Sequence, residues 1–183
     1  MDLRIKKCIM DYMFIIRVIW KGDEFVNNLI IREMKKDEYK ILGDFLYEAI
    51  FIPKGAKKPP REIINNEELQ VYVKDFGTDK NDNCLVAEYD CKIVGACWTR
   101  IMNDYGHIDN DTPSFAISLY EEYRGKGIGT RLMESMLKLL KDKGYKRTSL
   151  SVQKNNYAVE MYKKVGFRII DENKEEYIMI CDL

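Results

Sequence analysis

The stretch Phe115-Ala116-Ile117-Ser118-Leu119-Tyr120-Glu121-Glu122-Tyr123-Arg124-Gly125-Lys126-Gly127-Ile128-Gly129-Thr130 reads as an apolar strand running into a glycine loop that opens a helix. Alternating glycines let a backbone come close to a ligand, and the first N–H groups of a helix have no internal partners and carry the positive end of its dipole. The order predicts a cradle for an anion such as a phosphate. It is not a P-loop, which needs G-x-x-x-x-G-K-[ST]. Nor is it a dinucleotide fingerprint, because the spacing is G-x-G-x-G and the next strand closes on Val152-Gln153 instead of on an acid.

Downstream, Leu132, Met133, Met136, Leu137, Leu139 and Leu140 recur at helical spacing, and Gly144 stands where a helix-ending glycine is expected. Arg147 to Val152 alternates like a strand. A second helix is predicted from Asn156 to Val165, with Ala158, Met161, Tyr162 and Val165 on one face and Gly166 as its stop.

Upstream, Leu29-Ile30-Ile31-Arg32 reads as a strand and Lys36 to Ile50 as a helix. The segment Phe51 to Arg61 holds three prolines, a glycine and basic residues, so it is no regular element. A shorter helix is expected from Glu67 to Phe76, then strands Leu85–Tyr89 and Lys92–Ile101 joined at Asp90-Cys91 by a two-residue or three-residue hairpin. Strands that meander and then alternate with helices imply an α/β chain with a mixed sheet and helices on both faces.

Composition narrows the function classes. The chain has 183 residues, 46% of them hydrophobic, which suits one domain with a sizeable core. Lys+Arg and Asp+Glu both number 30, so no global field favours nucleic acid. Cys8, Cys84, Cys91, Cys97 and Cys181 are odd in number and form no metal-binding pair, and they read as reduced thiols of a cytoplasmic protein. With His107 the single histidine, a histidine-built metal site is excluded, and no metal is expected. The apolar run Cys8 to Trp20 is too short to span a bilayer and is interrupted by Asp11 and Arg17, so no membrane segment is expected. Residues 1–28 read as an N-terminal extension of open role, and 29–183 as the domain.

Two motifs carry a family resemblance. Arg124, Gly127 and Gly129 match R-x-x-G-x-G, and Asn156, Ala158, Tyr162, Lys164, Gly166 and Phe167 match N-x-A-x-x-x-Y-x-K-x-G-F. Residues 29–183 thereby resemble the GNAT family of N-acetyltransferases, most specifically from Ser114 to Phe167. The resemblance implies a largely antiparallel mixed sheet in which two central parallel strands, Ser114–Tyr120 and Arg147–Val152, splay apart. It also implies that acetyl-CoA is the acyl donor, with no metal, and that the acceptor is a primary amine of a small molecule or a protein. A monomer or homodimer is expected. A non-catalytic CoA-binding module, another acyl donor and an O-acceptor are the alternatives.

Carried over to this chain, the resemblance lays the pantetheine arm against Ile117, Ser118 and Leu119, with the Leu119 N–H near the thioester carbonyl. It rests the pyrophosphate on Arg124, Gly125, Lys126, Gly127, Ile128, Gly129 and Thr130, the side chains of Arg124 and Lys126 adding charge. Asn156 would contact the pantetheine arm or cap its helix. Tyr162 would be the general acid, although periodicity alone reads it as a core aromatic. Many relatives carry a carboxylate at the place of Phe115-Ala116-Ile117, and this chain has none there. Glu88, His107, Asp109 and Asp111 are considered as bases without assignment. Glu88, Tyr89, Trp98 and the proline-rich loop are considered as acceptor walls.

Overall fold

The computed structural model describes residues 28–53 and 55–183. The expected extension 1–28, apart from Asn28, lies outside the described residues, as does Cys8. Seven strands form one sheet in the order β1-β2-β3-β4-β5-β7-β6. They are β1 (Leu29–Glu33), β2 (Asn83–Tyr89), β3 (Lys92–Arg100), β4 (Ser114–Leu119), β5 (Arg147–Gln153), β6 (Arg168–Glu172) and β7 (Glu176–Asp182). Every pairing is antiparallel except that of β4 with β5. The mixed sheet with helices on both faces is the architecture expected from the sequence.

Two helices cover one face. Those are α3 (Ile128–Asp142) and α4 (Ala158–Lys164), and the stripe Leu132, Met133, Met136 and Leu140 of α3 is wholly buried against Val94, Cys97, Leu150 and Met179. Burying such side chains stabilises by about 1.5–3 kcal/mol each, which fixes the helix at the sheet centre. On the opposite face α1 (Leu42–Ala49) sinks Phe45 and Leu46 into a second core with Val86, Ala96 and Trp98.

The structure differs from the expected helices in two places. Lys36–Ile41 is a 3-10 helix before α1 begins. Its Glu38 carboxylate is drawn to the Lys35 N–H at 2.8 Å and to the Arg32 guanidinium at 2.7 Å, tying the turn tightly to β1. The second helix stops early, as α2 (Glu67–Gln70). Carbonyls that would accept the next helical bonds are taken by β3 instead, since Arg100 donates to Val71 and Lys74 and the Trp98 indole donates to Tyr72. The hairpin at Asp90-Cys91 is the two-residue form, with both residues at positive φ of 48° and 62°. Cys84, Cys97 and Cys181 are buried and Cys91 is exposed. Among the described residues, no helix is long and apolar enough to cross a membrane.

Candidate active site

β4 and β5 touch only at their beginnings. Their single register pair is Ser114 with Ser149, where the Ser149 N–H and the Thr148 hydroxyl both bond the Pro113 carbonyl. Beyond that pair the strands part. Along β4, the Tyr120 N–H donates to the Val94 carbonyl at 3.1 Å, and Ser118 lies opposite Ala96. N–H directions alternate along a strand, so those of Ile117 and Leu119 point away from β3, into the gap left by β5. An edge of unpaired backbone amides thus faces an opening inside the sheet.

A cleft of about 660 Å³ fills this opening. One wall is the end of α1 and the loop after it, including Tyr47, Glu48, Phe51 and Ile52; the others are the end of β4, the glycine loop and the start of α4. The loop meets the cleft with the backbone of a helix start. Gly127 precedes α3 in the left-handed conformation at φ 77°, and Gly125 has φ 71°. A Cβ on either would meet nothing within 4 Å, so these two glycines are required by conformation, not by space. Gly129 sits where space is tight, because a Cβ there would lie 3.3 Å from the Met161 sulfur and 3.4 Å from Leu119 Cδ1. The N-terminus of α3 has no side-chain cap and no acid in its first turn. Such an end fits an anionic group of a ligand.

Each sequence-predicted residue has a definite place. Ile117, Ser118, Leu119, Arg124, Gly125, Gly127, Gly129, Thr130, Asn156 and Tyr162 all line the cleft. Ile128 is buried beneath it, and the Lys126 ammonium stands 5.4 Å from the centre of the Tyr123 ring. Ser118 turns its hydroxyl away, to the Phe45 carbonyl at 2.6 Å, leaving its backbone to the strand edge. The Asn156 side chain accepts the Ala158 N–H at 2.9 Å, the capping duty weighed for it from the sequence.

Arg124 has work within the protein. Its Nε donates to the Leu119 carbonyl at 2.9 Å, and its Nη2 reaches the Glu48 carboxylate at 2.6 Å and the Glu48 carbonyl at 3.1 Å. The guanidinium therefore binds the end of β4 to the end of α1.

Tyr162 is half-buried, its ring packed on Phe167 with centroids 6.0 Å apart. No described residue hydrogen-bonds its hydroxyl. Burial, with smaller contributions from Cys97 and Tyr157, pushes the hydroxyl pKa above the ordinary tyrosine value. It is protonated at neutral pH, so its O–H can donate.

The residues considered as bases lie elsewhere. Glu88 is buried in an ion pair with Arg32 at 2.7 Å, Asp109 pairs with Arg147 at 2.5 Å, and the His107 Nδ1 is 2.9 Å from the Met102 carbonyl. Neither these nor Asp111 line the cleft. Of the residues considered as acceptor walls, Trp98 is fully buried in the second core and Tyr89 packs on Tyr123, while Phe51, Ile52 and Pro59 of the proline-rich segment do line the cleft. Glu48, Met161 and the 73%-exposed Tyr157 are cleft residues that sequence reading missed. Glu48 carries no local signal, since its partner is 76 positions away.

The splayed pair, the uncapped glycine-loop helix and the cleft between them define an acyl-CoA-type transferase fold. Residues 47–167 match the model of the Acetyltransferase (GNAT) family, and the chain belongs to that family. A putative [ribosomal protein bS18]-alanine N-acetyltransferase of Bacillus subtilis (strain 168) is 35% identical over 85 residues, covering 46% of this chain and 52% of the relative. The probable N-acetyltransferase san of Drosophila melanogaster is 38% identical over 116 residues, covering 61% and 58%. The chain spans about half the length of these two curated relatives. Among solved structures, the PaiA N-acetyltransferase of Thermoplasma acidophilum in complex with coenzyme A superposes with a TM-score of 0.63 at 19% identity, covering 85% of this chain and 99% of that one. A GNAT acetyltransferase from Elizabethkingia anophelis with acetyl-CoA bound gives 0.59 at 20% identity, covering 86% and 99%.

Proposed function

We propose that the chain is an acetyl-CoA-dependent N-acetyltransferase that moves the acetyl group directly to a primary amine of a small molecule or protein. The observation that carries this reading is the Leu119 N–H, turned by strand alternation into a gap that begins at Ser114 and Ser149. When bound, acetyl-CoA supplies a thioester whose carbonyl carbon an amine can attack. The amides of Ile117 and Leu119 would hold the arm of the donor, and the Leu119 N–H would stabilise negative charge as it develops on the carbonyl oxygen. Helix-opening N–H groups from Gly127 to Thr130 would hold the pyrophosphate. Tyr162, held protonated by burial, would give its proton to the departing thiolate.

Acids lining the cleft are Glu48, engaged by Arg124, and Glu121, which faces Lys58 at 3.5 Å. The acceptor ammonium would therefore lose its proton to water before the neutral amine attacks. Protein acceptors gain support from relatives named for ribosomal-protein alanine and N-alpha acetylation. Incubating the full chain with acetyl-CoA and a panel of amines and peptides, and following free thiol, tests the reading. Amine-dependent thiol release is expected. Tight CoA binding without turnover on any amine would leave a non-catalytic CoA-binding module.

A further inference from the structure

Three carboxylates gather near the closed end of the splay without a cationic partner. Asp104 accepts the Tyr72 hydroxyl at 2.9 Å and the Ser114 hydroxyl at 2.7 Å. Glu176 accepts from Ser151 at 2.8 Å and from Gln153 at 3.0 Å, and Glu68 accepts the Tyr105 hydroxyl at 3.0 Å. Among the described residues none of the three forms an ion pair. Glu38, Glu48, Glu88, Asp82 and Asp109 by contrast each face an arginine.

Glu176 and the loop that carries Asp104 both reach β5 at Ser151. A Cβ at Gly106 would stand 3.0 Å from the Ser151 nitrogen, so the loop carrying Asp104 and Tyr105 rests on the strand beside Ser151, the residue that holds Glu176. Both tyrosine hydroxyls are held above the ordinary value: Tyr72 by burial, then by Asp104 and Glu176, and Tyr105 by Glu68, with a smaller contribution from Glu176. An independent observation marks the same place. Ser149 is fully buried, and its hydroxyl has no hydrogen-bond partner among the described residues. It is the register partner of Ser114, and paired residues of neighbouring strands point to one face, so this hydroxyl is aimed to the side on which Ser114 meets Asp104.

Uncompensated carboxylates, hydroxyl oxygens and an aromatic ring 59% exposed at Tyr105 suit an organic ammonium, which takes hydrogen bonds to the oxygens and the face of the ring. A metal ion suits them less, because no group of three or more metal-ligating side chains occurs among the described residues. Ser151 lies two residues past the closed end, as Ala116 does on β4, and the amides of Ile117 to Leu119 lie one to three residues further, roughly 3–10 Å along the strand.

We infer that the acceptor carries a second positive charge, and that Asp104, Glu176 and Glu68 hold this charge while the primary amine meets the acyl group. The inference rests on the N-acetyltransferase reading and adds the class of acceptor to it. Two sources share the chemistry, a polyamine and a peptide with a basic side chain near its N-terminus.

The test compares kcat/KM for spermidine against propylamine, and for Ala-Lys against Ala-Ala peptides, in the wild type and in Asp104→Asn combined with Glu176→Gln. A dication-to-monocation ratio above tenfold is expected in at least one pair, falling towards one in the double variant, and the pair that shows it identifies the source. Calorimetric titration of spermidine and of an N-acetylated Ala-Lys peptide into the CoA-bound protein, with melting temperature as a check on folding, gives a readout independent of turnover. Binding of either that weakens at least tenfold in the folded double variant supports the site even if no amine is acetylated, in which case only the function fails. Acetylation without charge preference in either pair, or a preference that the folded double variant keeps, overturns the site and leaves the function standing. Should no amine be acetylated, absence of binding by both probes overturns it.

Discussion

The Arg124 guanidinium lies 2.6 Å from the Glu48 carboxylate and 2.9 Å from the Leu119 carbonyl. It couples the loop that would hold the donor's pyrophosphate to the helix end that forms the opposite wall of the cleft. A residue whose motif position suggests a ligand contact is thus occupied in holding the two sides together. Arg124→Ala is expected to lower stability by about 1–2 kcal/mol, below the value for a fully buried pair because the arginine is 30% exposed. Arg124→Lys should not restore the loss, since one ammonium cannot serve both acceptors in the geometry of the guanidinium. Urea unfolding of both variants checks this, and a lysine variant of wild-type stability would contradict it.

Gly127 and Gly129 should fail for different reasons. Gly127→Ala places a side chain at φ 77°, at a cost of about 1–2 kcal/mol, and tilts the helix-opening amides, so CoA affinity should fall about tenfold. Gly129→Val drives a branched side chain into Met161 and should weaken both folding and binding. Calorimetric titration with CoA measures both, and unchanged affinity in the two variants would remove the loop from the binding site.

CoA should stabilise the fold by mass action. At a hundred times its Kd the gain is about 2.7 kcal/mol, visible as a rise in melting temperature that AMP or NAD does not match. An equal rise with NAD would favour a dinucleotide site.

Tyr162→Phe keeps the ring against Phe167 and removes the hydroxyl. With acetyl-CoA affinity and melting temperature retained, kcat should fall by about 10²-fold on any accepted amine. Full activity would return Tyr162 to the core, where Tyr162→Ala would act only through the cavity it leaves.

The triad of buried Arg32 and Glu88 with partly exposed Glu38 predicts a pH-dependent stability. Burial acts to raise the Glu38 pKa, but its bonds to Arg32 and to the Lys35 N–H outweigh burial and hold it below the ordinary value of 4.5. A carboxylate depressed in the folded state stabilises above its unfolded pKa, and the contribution is lost as pH falls through the folded value. The stability gap between the wild type and Glu38→Gln should therefore be full at pH 7 and should shrink progressively below pH 4.5. Chemical unfolding at pH 7, 5 and 3 tests this, and a gap constant across the range would refute the linkage.

Local sequence determined much of this protein. Period-two and helical patterns drew β4, α3, β5 and the hairpin at Asp90-Cys91, because backbone preference and one-sided burial are written in neighbouring residues. The two motifs cover part of the cleft lining, from Arg124 to Gly129 and from Asn156 to Tyr162, since a loop, its helix and the next helix lie close in the chain. Tertiary structure decided what depends on distant partners. α2 ends at Gln70 because Arg100 and Trp98, about thirty positions on, claim its next carbonyls. Glu48 became a cleft residue through an arginine 76 positions away, and Glu88 left the list of bases because Arg32 crosses from β1 to neutralise it. That the Asp104 loop lies beside the strand that holds Glu176 was also beyond a linear reading. Asp104 accepts from Ser114 on β4 and Glu176 from Ser151 on β5, and the packing of Gly106 on β5 sets the Asp104 loop beside Ser151.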